Sequence, residues 1–358
     1  MKQKNRIKKA EAIAPPAASS AMPPSPTEAD NAEHKIEGPA GEHTNPASES
    51  PSTLGDSQSD SVSGTKIEHP PAYLVPSNKW ECQFEAVAGT SHRNKIPALP
   101  CQDAAVSSIH PKPFVIVSDG AGSSLMSDVG AQAVVVALSR LLVTLENEVV
   151  DLLDQDQQTE EQGRRFALML VKHARGVLFD LAQTQRRAVK DFRCTLLFAI
   201  VGRTNLLWLK VGDGAIVQER IRSLSGGAKE SELRTLGEVG KGDFANETTF
   251  IDEGLRSEDV KSGLLPGGDI CGLAAMSDGA ALALVSHDGT KVASRLEAWL
   301  NELRSGKLKR SILAESFYDS EFSRKAMGDD CSIALVASAV MANVSRQEED
   351  QAMIEAKS

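Results

Sequence analysis

Five apolar stretches of this chain begin or end on a carboxylate. "FVIVSDGAGSS" (residues 114–124) stops on Asp119, "LLWLKVGDG" runs into Asp213 and "ICGLAAMSDGA" ends on Asp278. "MGDDCSIALVA" sets Asp329 and Asp330 ahead of an apolar run, and "PCQDAAV" places Asp103 at the mouth of another. Each alone reads as a turn, because Asp bonds its own backbone and Gly accepts positive φ. Together they describe strands whose acidic ends could meet at one edge of a sandwich. Clustered carboxylates repel, and burying one unpaired is costly. A divalent cation removes both problems, and oxygen ligands without a His or Cys cluster suit Mg²⁺ or Mn²⁺. Two such ions about 4 Å apart, sharing one carboxylate, would activate a water for in-line attack on phosphorus. Asp119 is the candidate shared ligand. Gly120 lets the backbone come close enough for its carbonyl to be another.

The elements that must position these groups are short. Strands are expected in "FEAVAGT", "AAVSSI", "FVIVSD", "CTLLFAIVG", "NLLWLKVGD", "CGLAAMSD" and "CSIALVAS", with a tight turn at "RTN". Helices are expected over 127–145, where Ser127 and Asp128 could cap an Ala/Val/Leu-rich run, and over about 160–186. In the second, Phe166, Leu170, Ala174, Leu178 and Leu181 share a face. Two more are expected over about 291–304 and 308–324. Strands and helices come in blocks and several strands look hairpin-linked, which predicts an α+β fold with antiparallel sheets.

Composition sets the outer bounds. The chain has 358 residues and a formal net charge of −10, a balance with no general attraction for nucleic acid or an anionic membrane. No run reaches the roughly 18 apolar residues a bilayer span needs, and the basic N-terminus lacks the apolar core of a secretory signal. The five cysteines form no C-x-x-C pair and their number is odd, which predicts reduced thiols and a cytoplasmic protein. Ten of the sixteen prolines precede residue 76, and no aromatic ring other than histidine precedes Tyr73. Residues 1–75 are therefore expected to be a disordered tail, 76–342 one domain, and 343–358 a polar C-terminal tail.

In this order the motifs resemble the metal-dependent type-2C (PPM) serine/threonine protein phosphatases, bacterial branch. "GTSHRNKIPALPCQDA" resembles the opening segment that ends in an acidic pair or Gln-Asp. "VIVSDGAGSSLMSDVGAQ" resembles the Asp-Gly-x-Gly motif with its following helix. "CTLLFAIVGRTNLLWLKVGDGAIV" resembles the central hairpin, and "MSDGA" and "GDDCSIALV" resemble the last two motifs. The likeness spans about residues 84–338. It implies a β-sandwich of two antiparallel sheets flanked by helices, with two Mn²⁺ or Mg²⁺ ions, and a third more loosely held, at one end. It also implies that Asp119 bridges the ions and Gly120 offers a carbonyl. Asp278 and Asp329 would complete one shell, Asp103 would hold water on the other side, and Asp213 would join Asp278 at the looser site.

Departures from the pattern are specific. Ala121 stands where many members have His, Gln102 replaces a Glu, and Asp330-Cys331-Ser332 replaces Asn-x-Thr. Arg93 is the candidate to clasp phosphate, although ten positions separate it from Asp103. His92 is read either as a phosphate ligand and proton donor or as a loop residue capping backbone. The resemblance implies hydrolysis of phosphoserine or phosphothreonine by a metal-bridging hydroxide, on a phosphorylated protein substrate linked to a cognate Ser/Thr kinase in signalling. The alternative is a pseudophosphatase that binds phosphoprotein and hydrolyses nothing, which the loss of two or more of these ligands would favour. A plain interaction protein has only the N-terminal tail behind it.

Overall fold

The computed structural model describes residues 79–223, 229–238 and 248–339. The expected tails over 1–75 and 343–358 lie outside them. The described strands form two five-stranded antiparallel sheets. The first runs in the order β1 (Trp80–Val87), β10 (Cys331–Ser338), β9 (Ile270–Met276), β6 (Ala215–Ser223), β7 (Lys229–Leu236). The second runs β2 (Asp103–Ser108), β3 (Phe114–Asp119), β4 (Leu196–Val201), β5 (Asn205–Val211), β8 (Lys261–Pro266). The α+β sandwich expected from sequence is the one observed.

Strand alternation sorts three apolar layers. Val115, Val117, Leu197, Ala199, Leu273, Ala275, Ala334 and Val336 fill the space between the sheets. Their neighbours Phe114, Ile116, Phe198 and Ile200 face the other way, into helices α2 (Ser127–Thr144), α3 (Glu146–Asp154) and α4 (Glu160–Gln185). On the far side, Ala274, Met276, Ile333 and Leu335 pack against α5 (Asp278–Leu284), α6 (Ser294–Arg304) and α7 (Arg310–Tyr318). A short α1 (Thr90–Arg93) follows β1, and α8 (Ser320–Lys325) follows α7.

Several elements differ from expectation. The run over 308–324 is two helices, because Asp319 leaves helical geometry and its carboxylate caps α8 through the Glu321 and Phe322 amides. Strand β1 starts four residues earlier than "FEAVAGT". Strands β6 to β8 escaped the apolar reading because "ERIRS" and "KESELRTL" are largely polar and "KSGLLP" is short and broken by Gly and Pro. Of the expected α4 stripe, Leu170, Ala174 and Leu178 are buried, joined by Ala167, Val171 and Ala182, while Phe166 and Leu181 are only partly covered. Ser127 does not cap α2; Met126 holds the cap position with no side-chain bond. Helix α2 has 18 residues and mean hydropathy 1.3, enough by length and composition for a bilayer span. Its Val134, Val135, Leu138 and Leu142 are instead buried against the second sheet and α4.

Gly130 sets how closely α2 lies on the chain leading into β4. A Cβ there would sit 1.9 Å from the Phe192 carbonyl oxygen, which is backbone and cannot swing aside. Gly130→Ala is therefore expected to lower unfolding free energy by about 2 kcal/mol despite alanine's better helix propensity. Urea denaturation checks this; a neutral or stabilising effect would show that α2 can lift freely.

Candidate metal centre

Register alone brings the acidic strand ends together. Asp103 and Asp119 are direct partners across β2 and β3, a position where like charges oppose pairing. In the other sheet Met276 pairs with both Ala215 and Ile333. Asp213 lies two residues before Ala215, Asp278 two after Met276, and Asp329 and Asp330 just before Ile333, so all leave the sheet at the same end. Carboxylate oxygens of Asp119, Asp213 and Asp278 lie within 4.8 Å of one another.

Local backbone explains each placement. The Asp119 amide donates to Thr195 Oγ1 (2.9 Å), while its carbonyl accepts from the Thr195 amide (2.8 Å). Gly120 fits between Gln102 and Ser127, where a Cβ would be 2.8 Å from backbone atoms of both. Asp213 sits between Gly212 and Gly214, at φ +96° and +90°, a turn no other residue type adopts cheaply. Buried Lys210 steadies that turn by donating to the Gly214 carbonyl (2.8 Å), and Thr248 Oγ1 donates to Asp213 Oδ2 (2.8 Å). A cavity of about 270 Å³ lined by Trp208, Lys210, Thr248 and Lys261 opens beside Asp213. Asp278 is the first residue of α5, with Ser277 before it holding the Ser332 amide (3.0 Å).

The cluster is electrostatically strained without a counter-charge. Burial, with the charges of Asp103 and Asp278 next, raises the Asp119 carboxyl well above the ordinary range. Burial pushes Asp103 up to about 7, opposed by the nearby Ser277 hydroxyl and reinforced by Asp330. Burial, then Asp213 and Asp329, pushes Asp278 up to about 6. Asp329 keeps an exposed edge, yet burial of the rest and Asp330 still raise it. Both Asp103 oxygens are buried without a well-formed hydrogen bond, although Ser277, Ser332 and Asp119 lie close enough to act on its proton. Orphaned carboxylate oxygens beside a converging acidic triad are what a divalent cation satisfies, and the all-oxygen donor set fits Mg²⁺ or Mn²⁺.

Asp330, noted from sequence only as an extra carboxylate, has a defined task. It accepts from the Gly89 amide (2.7 Å), the Gln102 amide (2.6 Å) and His92 Nδ1 (2.9 Å). Gln102 in turn accepts the Gly120 amide through its carbonyl (3.1 Å). One side chain thus ties α1, the start of β2 and the Asp119 loop together. His92 is nearly buried against Asp330, while the Arg93 guanidinium lies 4.6 Å from the Tyr318 ring centroid. Cys331 is buried and its thiol pushed up by burial, a core residue. No sequence signal marked Thr195 or Lys210, and Ser277 was marked only as part of "MSDGA"; their roles depend on the packed fold.

A sandwich whose carboxylates converge at one end, in this order along the chain, defines a phosphoprotein phosphatase. The family model described as Protein phosphatase 2C matches residues 88–315, and the chain belongs to that family. No curated protein matches the chain. Solved structures similar to it include the serine/threonine phosphatase Stp1 from Staphylococcus aureus, at 15% identity, covering 72% of this chain and 95% of that one, with TM-score 0.46. PppA, a key regulatory component of T6SS in Pseudomonas aeruginosa, is 15% identical over 72% of this chain and 97% of its own, with TM-score 0.44. The catalytic domain of the serine threonine protein phosphatase PstP, in complex with 2 manganese ions, is 12% identical over 73% of this chain and 99% of its own, with TM-score 0.44.

Proposed function

We propose that this chain is a metal-dependent protein serine/threonine phosphatase that works through two Mn²⁺ or Mg²⁺ ions. The observation that carries the reading is the convergence of Asp119, Asp213 and Asp278 within 4.8 Å, none of them in an ion pair among the described residues, with Lys210 a nearby charge for Asp213 alone. Asp119 is central to the set. Gly120 offers its carbonyl, Asp278 and Asp329 flank one side, Asp103 lies across from Asp119, and Asp213 reaches the outer edge with Asp278. The ions would supply an activated water as nucleophile and neutralise charge on the transferring phosphoryl group. The chain's own residues hold that arrangement: Thr195 fixes Asp119, Lys210 and Thr248 fix Asp213, and Asp330 fixes the Gln102–Gly120 contact. His92 can serve a leaving alkoxide only through Nε2, since Nδ1 is taken by Asp330. Arg93, the expected phosphate clasp, rests against the Tyr318 ring. All five cysteines are unpaired, which supports a reducing, cytoplasmic setting for a substrate phosphorylated by a Ser/Thr kinase.

Hydrolysis of p-nitrophenyl phosphate and of a phosphothreonine peptide is expected to require added Mn²⁺ or Mg²⁺. It should vanish in EDTA and return when Mn²⁺ is restored in excess. Undiminished turnover in metal-free buffer would sink the reading, and phosphopeptide binding without turnover under any metal would make the chain a pseudophosphatase.

A further inference from the structure

A second polar site lies outside the acidic cluster. Helix α1, the end of α7, α8 and the Met327–Gly328 turn enclose an open groove of about 610 Å³, lined by Thr90, Arg93, Tyr318, Ser323, Arg324 and Met327. Its floor is the contact of α1 with Gly328: the Ser91 amide donates to the Gly328 carbonyl (2.9 Å), and Gly328, at φ +78°, leaves no room for a Cβ beside Thr90 Oγ1. The next residue is Asp329, so the groove starts one residue from the carboxylate cluster.

Its charges are arranged for an anion. Arg93 lies over the Tyr318 ring, its guanidinium 4.6 Å from the centroid, a placement that positions the cation without neutralising it. Arg324 comes from the last turn of α8 and is exposed. Among the described residues neither arginine has an acidic ion-pair partner. The acids of α8 are committed elsewhere: Glu321 pairs with Lys325 (2.9 Å) and feels Arg324 only as a weaker, more distant charge, while Asp319 caps the helix. Thr90 and Ser323 add hydroxyls. Met327, 81% exposed at φ +57°, offers an apolar rim in a conformation that bulky residues seldom adopt. Two unpaired guanidiniums with hydroxyls between them match carboxylate or phosphate oxygens.

We propose that this groove receives an anionic side chain of the substrate, a few residues from the scissile phosphoserine or phosphothreonine. This proposal rests on the phosphatase reading above and names the substrates it favours: phosphosites flanked by Asp, Glu or a second phosphorylated residue. In a chain of net charge −10 with an acid-lined centre, such a groove gives an anionic substrate a local attractive contact.

The test compares three phosphothreonine peptides, with neutral, Glu or phosphoserine flanks, in wild type, Arg324→Glu and Arg295→Glu. The last carries the same charge change on the exposed face of α6. Wild type should show KM about fivefold lower for the acidic flanks, a size expected of exposed charge-assisted contacts. A larger gain for phosphoserine than for Glu identifies a phosphate subsite, and equal gains identify a general anion subsite. Arg324→Glu should abolish the preference with kcat and p-nitrophenyl phosphate turnover unchanged, and Arg295→Glu should keep it. Peptide anisotropy in EDTA gives the same comparison without hydrolysis, so loss of activity in every protein would fault the phosphatase reading and leave the groove measurable. Equal affinity of wild type for neutral and acidic peptides, or a preference surviving in Arg324→Glu, would overturn the proposal.

Discussion

Asp119→Asn is expected to reduce turnover by about 10³-fold and to weaken Mn²⁺ binding by at least about a hundredfold. The substitution preserves size and turn-forming ability, so a residue that only closed a turn would tolerate it. Asp119 is more than that: it faces Asp103 in register and shares a 4.8 Å neighbourhood with Asp213 and Asp278. The metal-free fold should gain stability at the same time, because one member of a self-repelling set is gone. The pH dependence gives the sign. Folded Asp103 and Asp278 hold protons up to about 7 and about 6, above the ordinary carboxylate range, so the folded state binds more protons than the unfolded one. Their contribution to apo stability is therefore lost as pH rises from about 4 through about 7. Asp119→Asn should flatten that decline, and Mn²⁺ should remove it in wild type. Calorimetric Mn²⁺ titration beside Asp213→Asn, with urea melts in EDTA across this window, measures all three effects. Wild-type-like metal affinity in Asp119→Asn would overturn its central place.

Arg304→Met should cost about 3–5 kcal/mol of stability with little direct effect on the acidic cluster. Glu219, on the bulge of β6, is fully buried, and its charge is met by Arg304 from the last turn of α6. Arg304 also reaches Asn301 Oδ1 and the Ser338 carbonyl, so α6, β6 and β10 meet on one guanidinium. Glu219 Oε1 has no partner in compensation. Removing the arginine leaves a fully buried carboxylate with no ion-pair partner among the described residues. The double variant Glu219→Leu/Arg304→Met should recover most of the loss, since what is costly is the unpaired charge. Urea unfolding in EDTA separates this from metal-linked stability. A loss below about 1 kcal/mol for the single variant would show that water reaches Glu219.

The five carboxylates were legible because each sits where an apolar, β-branched run stops, and such runs have few foldable alternatives to strands. The long helices α2 and α4 were legible for the same reason, being strongly apolar on one side. Strand β7 and the second half of β6 carried no such pattern because they are largely polar, and β8 is short and broken by Gly and Pro, so nothing local forces the pairing that β9 and β5 impose. Local sequence likewise favoured a cap at Ser127, but packing of the Asp119–Gly120 loop turned that residue inward instead. The clearest division falls between Asp329 and Asp330. Adjacent residues of one type are indistinguishable as letters, and alternation along the strand end sends them to opposite tasks. Asp329 faces the cluster with Asp278, whereas Asp330 turns back to bind Gly89, His92 and Gln102, residues some 230 to 240 positions away. The sequence by itself determined which groups are present and that their strands end on them. Which oxygens converge, which carboxylate is structural and where the two free arginines point depended on register between strands distant in the chain, which only the packed sandwich sets.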